Sequence, residues 1–390
     1  MKPEVEKKSW SALYNTLALV IFNTILIFIL GNGAIGILLT MVEPTPTQDQ
    51  RIIAHFGQGT LEKVYPGKTW PEIKTLLQET WSRTYLYEPF VQFREPPMEG
   101  QFVHVSQAGF RTHGPPIPWP PDRQKMNVFL FGGSTVFGYG VGDAETIAAH
   151  LEKRLAKTTQ RPVHVYNFGQ GFYYSSQELI QFQRLLVHGI QPDMAIFLDG
   201  LNDFFHDKDQ PFFTERLRDA MSKTSPAQHL QAWAADWAVV RLANKVAKRL
   251  SPQTIPSPEN NARTITSVID RYLANQRLIQ ASGAAHGIPT LFAWQPVPTY
   301  HHQPHQHLVQ GDLKEHALSG PGYETLAQRL QSTPLGPHFV WCADVQKGSQ
   351  ELLYVDRVHY NSPMSDRIAE CLMNGIVQMP TTHMLPSSNG

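Results

Sequence analysis

The pattern of hydrophobic and polar positions along the chain changes twice, near residue 43 and near residue 126. Beyond residue 126, short runs of consecutive apolar residues alternate with longer segments of helical spacing. The runs predict strands at 127–131, 163–167, 194–199, 289–294 and 338–344. The other segments predict helices at 144–157, 176–188, 264–285, 321–331 and 363–375. Continuous apolar strands alternating with helices indicate a parallel sheet that is covered on both faces.

The N-terminal pattern is different, because no residue from 9 to 42 carries a charge. The apolar run from Leu17 to Val42 would be about 39 Å long as a helix, which exceeds the ~30 Å hydrocarbon core of a bilayer. We therefore predict a transmembrane anchor at 13–42 after a cytoplasmic tail at 1–12. A cleaved signal peptide is the alternative, because a short basic stretch precedes the run. The absence of a clean Ala-x-Ala cleavage motif favours the anchor.

The charges that flank the apolar run predict its orientation. Lys2, Lys7 and Lys8 precede the run, whereas the first positive residue after it is Arg51. The positive-inside rule places the N-terminus in the cytoplasm and the residues after 43 outside. In a Gram-negative cell this topology predicts a single-pass protein of the inner membrane whose main body lies in the periplasm.

The remaining boundaries follow from changes in composition. Residues 43–125 are irregular and rich in Pro, Trp and Tyr, with one or two short helices within 70–83. We expect them to form an extracytoplasmic stalk and collar that packs on the main body. The body then covers 126–380, and a C-terminal tail covers 381–390.

The stretch 204–262 interrupts the alternation of strands and helices within the body. Its apolar residues recur at near-helical spacing, and basic residues follow them. The apolar positions are Leu230, Trp233, Trp237, Val240 and Val246, and the basic positions are Arg241, Lys245, Lys248 and Arg249. An amphipathic pattern predicts one buried face, so we expect an inserted helix that packs on the body. The alternative is a lid or a membrane-surface helix close to a lipid substrate.

The composition narrows the classes of function. The 390 residues include 33 Lys+Arg and 33 Asp+Glu. This balance argues against a nucleic-acid partner, which needs a basic face to neutralise its phosphates. The two cysteines, Cys342 and Cys371, cannot form a four-ligand zinc site by themselves. An oxidising exterior permits a disulfide between them.

A glycine-flanked serine follows the first predicted strand. The segment FGGSTVFGYG at 131–140 places Ser134 on a tight strand-to-helix turn at the C-terminal edge of the sheet, where open α/β sheets bind their ligands. Glycines allow this sharp turn and a close approach of the backbone to a substrate. A nucleotide cradle is disfavoured, because the segment contains neither Gly-x-Gly-x-x-Gly nor Gly-Lys-Ser/Thr.

Polar residues and glycines also follow the second and third strands. Gly169 and Gly171 lie in a loop after Asn167 that can point backbone N–H groups at a developing oxyanion, although a plain strand–helix connection has the same pattern. Asn202 follows the third strand and can donate a side-chain hydrogen bond into the same site. We interpret its neighbours Asp199 and Asp203 as turn-forming residues.

An aspartate and a histidine, Asp356 and His359, lie three residues apart before the last predicted helix. On a turn, this spacing lets the carboxylate hold one imidazole nitrogen while the other faces a nucleophile. A serine needs such a base, because its hydroxyl is a weak nucleophile at neutral pH. Taken alone, the pair is equally compatible with a surface turn.

The joint order of these four blocks, each at the C-terminal end of a strand, resembles the SGNH (GDSL-type) hydrolase family over residues 127–375. The collar resembles that of membrane-anchored bacterial members. The resemblance implies an α/β fold, namely a flavodoxin-like three-layer α/β/α sandwich with a five-stranded parallel sheet. It also implies that Ser134 is the nucleophile, that His359 is the base and that Asp356 orients His359.

The resemblance implies three oxyanion donors: the Ser134 backbone N–H, a backbone N–H of the second block, and the Asn202 side chain. The chain departs from the family pattern at two positions. Gly-Gly-Ser at 132–134 replaces Gly-Asp-Ser, in which the aspartate is not the nucleophile. The family's Asn-x-Gly-x-x-Gly would end at position 172, where this chain has Phe172. The second donor is therefore open between Gly169, Gly171 and Phe172.

The function that the resemblance implies is acyl transfer through a covalent intermediate, without a metal or an organic cofactor. We expect a membrane-anchored ester hydrolase that acts on a lipid ester or an acylated glycan of the envelope. One alternative is an O-acyltransferase of the same fold that modifies a cell-surface polysaccharide. The other is a catalytically silent envelope assembly protein, which would have no reason to retain the four site residues.

A cluster of histidines suggests a further possibility. The segment HHQPHQH contains His301, His302, His305 and His307, and imidazoles bind transition metals. The loop has no carboxylate before Asp312, and 17 histidines in the chain make chance clustering plausible. We therefore expect these residues to line the mouth of the substrate site rather than to bind a metal.

Overall fold

The computed structural model describes residues 4–42, 58–114, 116–222, 233–250, 258–302 and 313–380. The start of the predicted stalk at 43–57, His305, His307, Leu230 and the tail at 381–390 lie outside these residues. The chain divides into two compact units. One comprises Met1–Gln50 with Glu215–Ile255, and the other comprises Arg51–Thr214 with Pro256–Gly390.

The elements follow one another in the order that the sequence predicts, with four short strands in the collar. The strands are β1 (Leu86–Glu88), β2 (Gln92–Arg94), β3 (Met98–Glu99), β4 (His104–Val105), β5 (Met126–Gly132), β6 (Val163–Asn167), β7 (Met194–Asp199), β8 (Thr290–Trp294) and β9 (Phe339–Trp341). The helices are α1 (Glu4–Val42), α2 (Gln58–Val64), α3 (Trp70–Trp81), α4 (Ser134–Phe137), α5 (Ile147–Leu155), α6 (Ser175–Val187), α7 (Leu201–Phe205), α8 (Thr214–Ser222), α9 (Ala238–Leu250), α10 (Pro258–Ala285), α11 (Ser319–Ser332) and α12 (Ser362–Gln378).

The five strands that were predicted from apolar runs form one parallel sheet in the spatial order β6-β5-β7-β8-β9. This finding confirms the predicted α/β fold. Strand β9 is shorter than predicted, because it lies at the edge and pairs only with β8, and the chain turns away after Trp341. Helix α10 is longer than predicted and begins at Pro258, a first-turn position that suits proline because no N–H is needed there.

Alternate residues of the strands supply two separate apolar cores, one on each face of the sheet. On one face, Val128 and Leu130 pack with residues of α5 and α12 such as Leu151 and Leu372. On the other face, Phe129 and Phe131 belong to an aromatic-rich core that includes residues of α6 and α10. The sheet is therefore the middle layer of a three-layer sandwich, and the C-terminal ends of its strands share one edge.

The collar packs on the body, as expected from its sequence. Leu76 of α3 and Val103 share a buried cluster with Phe137 and Val355, which flank the predicted site. The fully buried Arg111 donates hydrogen bonds to the carbonyl oxygens of Phe137, Gly138 and Val141 at 2.7–2.9 Å. The collar thereby holds the turn that follows the candidate nucleophile.

A disulfide joins Cys342 to Cys371. Cys342 follows β9 directly and Cys371 lies in α12, so the bridge ties the edge strand of the sheet to the last helix. The sequence permits this pairing but cannot establish it, because the two residues are 29 positions apart and their proximity depends on the fold.

Helix α1 contains the one segment of the described residues, Trp10–Leu39, that is long and apolar enough to cross a membrane, with a mean hydropathy of 2.2. Its length and composition fit either a membrane span or a signal sequence. Helix α9 packs against α1: the rings of Phe28 and Trp237 lie 4.8 Å apart, and Asn32 Oδ1 accepts a hydrogen bond from the Val239 N–H at 3.1 Å. Helix α9 thus belongs to the same compact unit as α1, and the packing of the inserted helix on the body stays a prediction.

Candidate active site

The turn between β5 and α4 places Ser134 at the C-terminal edge of the sheet. Ser134 is the first residue of α4, so its N–H belongs to the helical turn that has no intrahelical acceptor. A Cβ atom at position 133 would collide with Nδ2 of Asn202, so a side chain at this position would require Asn202 to move. Gly138 ends the short helix in the left-handed conformation, with φ of 92°.

Ser134, His359 and Asp356 form a continuous hydrogen-bonded chain. His359 Nε2 lies 2.8 Å from Ser134 Oγ, and His359 Nδ1 lies 2.8 Å from Asp356 Oδ2. Asp356 Oδ1 also accepts the backbone N–H groups of Val358 and His359, each at 2.8 Å. The structure therefore brings together three residues that are up to 225 positions apart in the sequence.

The surroundings of Asp356 keep its carboxylate ionised. Burial alone would raise the pKa of this carboxyl, because it removes water from the charged form. The positive charge of protonated His359 and the hydrogen bonds from His359 and Val358 outweigh burial, and the pKa lies well below its usual range. The charge of Asp356 is thus available to stabilise an imidazolium at physiological pH.

Aromatic side chains fix the plane of the His359 ring. Trp81 of the collar meets the imidazole edge-on with the ring centres 4.8 Å apart, and Tyr139 stacks on it at 5.4 Å. The hydroxyl of Tyr139 donates to the buried Glu95 Oε1 at 2.7 Å, and Glu95 also forms an ion pair with Arg83 at 3.1 Å. The imidazole is therefore held by residues of the collar as well as by Asp356.

The second-block glycines do not direct their N–H groups into the site. The Gly169 N–H donates to Asn167 Oδ1 at 3.0 Å, and the Gly171 N–H donates to Glu95 Oε1 at 3.2 Å. Phe172, the next residue, lines the cavity beside Ser134 and has φ of 61°, in the left-handed region that favours glycine. A non-glycine residue held in this region is a strained conformation of the kind that clusters at functional sites.

Asn202 reaches the same cavity from the start of α7. Its Nδ2 donates one hydrogen bond to the Tyr173 carbonyl oxygen at 2.7 Å. An amide nitrogen carries two hydrogens, so this contact fixes the side chain and leaves the second hydrogen for another acceptor. The position after the third strand thus brings Asn202 to the serine, as the sequence predicts.

A cavity of about 170 Å³ adjoins Ser134 and His359. Apolar atoms form most of its wall, although seven of its thirteen lining residues are polar or charged. The other lining residues are Trp81, Tyr139, Phe172, Leu201, Phe205, Val358, Asn202, Glu315, His316, Asp356 and Arg357. Burial, together with the positive charges of His359 and Arg357, lowers the pKa of His316 to about 4, so this second histidine is neutral at physiological pH.

The aspartates at the end of β7 are more than turn-forming residues. Asp199 and Asp203 are fully buried with Glu178 of α6, and Asp203 accepts a hydrogen bond from Ser175 Oγ at 2.6 Å. Burial raises the pKa of all three carboxyls, and repulsion among them raises those of Glu178 and Asp199 further. Asp203 directly follows Asn202 in α7, so this group of acids adjoins the segment that carries Asn202.

Glu178→Gln is expected to stabilise the protein increasingly as the pH rises. A raised pKa means that the folded protein holds a proton that the unfolded chain releases, so stability is lost as the pH rises above the unfolded value. Glutamine cannot ionise and removes this loss. Thermal melts from pH 5 to pH 9 should show a gain in melting temperature that grows with pH, whereas the exposed Glu62→Gln should show none. A gain that is constant or falls with pH would contradict the assignment.

The histidine cluster neither lines the cavity nor forms a metal site in the part of the chain that the structure describes. His301 Nδ1 lies 2.5 Å from Asp344 Oδ1, and the His302 ring faces Tyr354 at 5.0 Å. No group of three or more potential metal ligands occurs among the described residues. Besides His359, His316 lines the cavity, and the sequence interpretation did not single it out.

The family model that matches this chain is that of the GDSL-like Lipase/Acylhydrolase family, over residues 130–332. This match covers more than half of the chain, and a parallel five-stranded sheet agrees with it. The chain belongs to the GDSL-like lipase/acylhydrolase family. Ester hydrolysis is the activity that this family suggests. The matched region includes Ser134 and Asn202 and ends before Asp356 and His359.

Several solved structures of the family are similar to this chain at low sequence identity. A lipolytic protein of the G-D-S-L family from Desulfitobacterium hafniense DCB-2 is 10% identical, with 64% of this chain and 99% of that chain covered and a TM-score of 0.36. A lipase from a goat rumen metagenome is 13% identical, with 64% and 97% covered and a TM-score of 0.38. A psychrotrophic esterase from Pseudoalteromonas sp. is 12% identical, with 65% and 98% covered and a TM-score of 0.34. Among curated proteins, none matches this sequence.

Proposed function

We propose that this protein is a membrane-anchored, extracytoplasmic serine ester hydrolase that acts on a lipid or acylated-glycan ester of the cell envelope. The observation that carries the proposal is the hydrogen-bonded chain from Asp356 through His359 to Ser134, with 2.8 Å between His359 Nε2 and Ser134 Oγ. A silent assembly protein would not need this geometry. The mechanism uses only side chains and backbone groups of the chain.

In the first half of the reaction, Ser134 Oγ attacks the carbonyl carbon of the ester while His359 Nε2 takes the hydroxyl proton. Asp356 holds His359 Nδ1 and stabilises the imidazolium that forms. The tetrahedral intermediate then collapses: the bond to the alcohol breaks, and the alcohol leaves with the proton from His359. In the second half, water attacks the acyl-enzyme, gives its proton to His359, and the acid leaves as Ser134 recovers its proton.

The oxyanion of the tetrahedral intermediate needs preorganised donors. We assign them as the backbone N–H groups of Ser134 and Phe172 and the Asn202 side chain. The N–H groups of Gly169 and Gly171 already donate to Asn167 and Glu95. Phe172 lines the cavity in a conformation that normally requires glycine, and it occupies the position of the last glycine in the family pattern.

Asn202→Ala is expected to lower kcat by about 10²–10³-fold with little change in KM, because the donor acts mainly on the charge that develops in the transition state. Initial rates on a soluble ester measure both constants. The isosteric Asn202→Asp variant, which replaces the donor by an acceptor, should lose at least as much activity. A folded Asn202→Ala enzyme with wild-type kcat would remove Asn202 from the oxyanion site.

The volume of the cavity favours a substrate with a short acyl group. Its ~170 Å³ is close to the roughly 150 Å³ of an engineered apolar cavity that holds benzene. Its wall is mostly apolar, as an acyl chain requires. We therefore propose that acyl groups of about six carbons or fewer bind against Phe172, Leu201 and Phe205.

A panel of p-nitrophenyl esters from acetate to palmitate tests this function on the purified full-length chain in detergent. Turnover of the short esters, falling steeply as the chain lengthens, is the expected result. Turnover of palmitate alone would contradict the cavity assignment. A folded protein that hydrolyses none of the esters, with or without an added glycan acceptor, would contradict the enzyme assignment.

The contacts between α1 and α9 support a retained anchor. Asn32 is a polar residue within the apolar helix, and it satisfies a first-turn N–H of α9. The ring of Phe28 packs on Trp237. Removal of α1 as a signal peptide would leave the beginning of α9 without both contacts. We therefore propose that α1 stays in the mature protein and spans the membrane, with the N-terminus in the cytoplasm.

A further inference from the structure

Helix α9 has an apolar side that the described part of the protein does not cover. Among its residues 238–247, whose burial is described, Ala238 alone is buried, and the residues from Arg241 to Ala247 are exposed. Leu242 and Val246 are 37% and 48% exposed, and they stand four residues apart on one side of the helix. An exposed apolar side on a helix indicates a partner that is itself apolar.

Basic residues accompany this apolar side. Arg241 and Lys245 stand four residues apart in the exposed part of α9, and Lys248 and Arg249 follow in the sequence. The same segment contains no acidic residue from Ala238 to Leu250. A helix with Lys and Arg on its polar side and aliphatic residues on the other is typical of helices that lie in the interface of an anionic membrane.

The attachment point of α9 places its beginning at the level of the membrane surface. A Cβ on Gly36 would lie 3.7 Å from that of Ala238, so the two helices touch there. If the bilayer is centred on the apolar span Trp10–Leu39, Gly36 lies about 17 Å from the midplane at ~1.5 Å per residue. The half-thickness of the hydrocarbon core is ~15 Å.

Two tryptophans lie next to the start of α9. Trp237 packs on Phe28 of α1, and Trp233 packs on Trp237 with ring centres 4.6 Å apart while remaining 59% exposed. The exposed ring of Trp233 suits a membrane–water interface, where tryptophan concentrates because its ring is apolar and its N–H is polar. After this start, α9 leaves α1, since its residues from 241 to 247 are exposed rather than packed along that helix.

We propose that α9 is an interfacial helix that binds the anionic phospholipid surface of the bilayer in which α1 is inserted. Leu242 and Val246 face the acyl-chain boundary, and the side chains of Arg241 and Lys245 reach the phosphate groups of the lipids. The occupant is the bilayer rather than a second protein, because the apolar side begins at a helix that is itself proposed to lie in lipid, and because its charge complements anionic headgroups. This inference rests on the proposed anchor.

The test uses the full-length chain in vesicles. Both native cysteines are in the disulfide, so a single introduced cysteine can be labelled with an environment-sensitive fluorophore. Leu242→Cys reports on the apolar side of α9. Asn244→Cys is the matched control, because two residues of helix correspond to a rotation of about 200°, and Asn244 is exposed as well.

In vesicles of phosphatidylglycerol and phosphatidylcholine, the label at 242 should show a blue-shifted emission, quenching by nitroxide lipids, and an iodide quenching constant several-fold smaller than at 244. In phosphatidylcholine alone, or with Arg241→Glu and Lys245→Glu, the iodide quenching at 242 should rise towards that at 244. These results together support the interfacial helix.

Three other results overturn the inference. Equal iodide quenching at 242 and 244 in anionic vesicles would place α9 in water. Protection at 242 that persists in detergent and is insensitive to nitroxide lipids would show that protein covers this side, including a second copy of the chain. Release of the chain from vesicles by alkaline carbonate would show that α1 is not an anchor, and it would overturn the proposed topology together with this inference. If the chain stays on the vesicles but iodide quenching at 242 and 244 is equal, the α9 inference alone is overturned.

Discussion

Ester turnover is expected to fall by about 10⁴–10⁶-fold when Ser134 is replaced by alanine, the range seen when the nucleophile of a catalytic triad is removed. Alanine deletes the one hydroxyl that His359 Nε2 contacts, so no acyl-enzyme can form. Initial rates with p-nitrophenyl acetate measure the loss. The large expected effect follows because Ser134 Oγ is the atom that forms the covalent bond to the acyl group in the proposed mechanism.

A matched control separates chemistry from folding. Ser332→Ala alters a serine at the end of α11, whose hydroxyl only donates to the Arg329 carbonyl oxygen, and its rate should equal that of the wild type. Thermal melts should show that both variants are folded. Turnover by folded Ser134→Ala within about tenfold of the wild-type rate would contradict the assignment of the nucleophile, because an enzyme that has lost its nucleophile cannot retain nearly the full rate.

Asp356→Asn is expected to lower kcat by about 10⁴-fold while the fold is kept. The carboxamide oxygen can still accept the N–H groups of Val358 and His359. However, an amide cannot stabilise the imidazolium, and its N–H₂ group favours the His359 tautomer that carries the proton on Nε2. That tautomer cannot accept the proton of Ser134.

The control for this variant is Asp270→Asn, which changes an exposed carboxylate that pairs with Arg329. The rate of ester turnover by both variants is measured at several pH values. Asp270→Asn should leave the rate unchanged. A loss of less than about tenfold in Asp356→Asn would mean that His359 is oriented by other groups, such as the packed rings of Trp81 and Tyr139, and that the role of Asp356 is structural.

The main features of the fold, and the proximity of Ser134, His359 and Asp356, could be predicted because their signals are local. Each strand of the sheet is a short apolar run, since both faces of a parallel sheet are buried. Ser134, Asn202 and the Asp356–His359 pair each follow a strand or precede a helix, so the common edge of the sheet brings them together. A parallel sheet therefore converts positions in the sequence into one site.

The parts that could not be predicted depend on contacts between distant segments. Glu95 is one of several charged residues in an irregular segment, and nothing nearby in the sequence indicates that it accepts the Tyr139 hydroxyl and the Gly171 N–H. Because Glu95 accepts the Gly171 N–H, this N–H is engaged, and Phe172 becomes the proposed backbone donor to the oxyanion.

The partner against which the inserted helix packs could not be predicted from the sequence either. Amphipathic periodicity predicts that one side of α9 is buried but does not say against what. Asn32 carried a partial signal, because a polar residue in an apolar helix needs a partner. That partner is the Val239 N–H, 207 positions away.

The most direct test of the triad is covalent labelling of the full-length chain with a fluorophosphonate, which reacts with an activated serine. We predict that one equivalent of probe attaches to the peptide that contains Ser134. Labelling should disappear in Ser134→Ala and should be strongly slowed in Asp356→Asn, whereas Ser332→Ala should label like the wild type. No labelling of the folded wild-type chain, or undiminished labelling of Ser134→Ala, would contradict the assignment of an activated serine to this site.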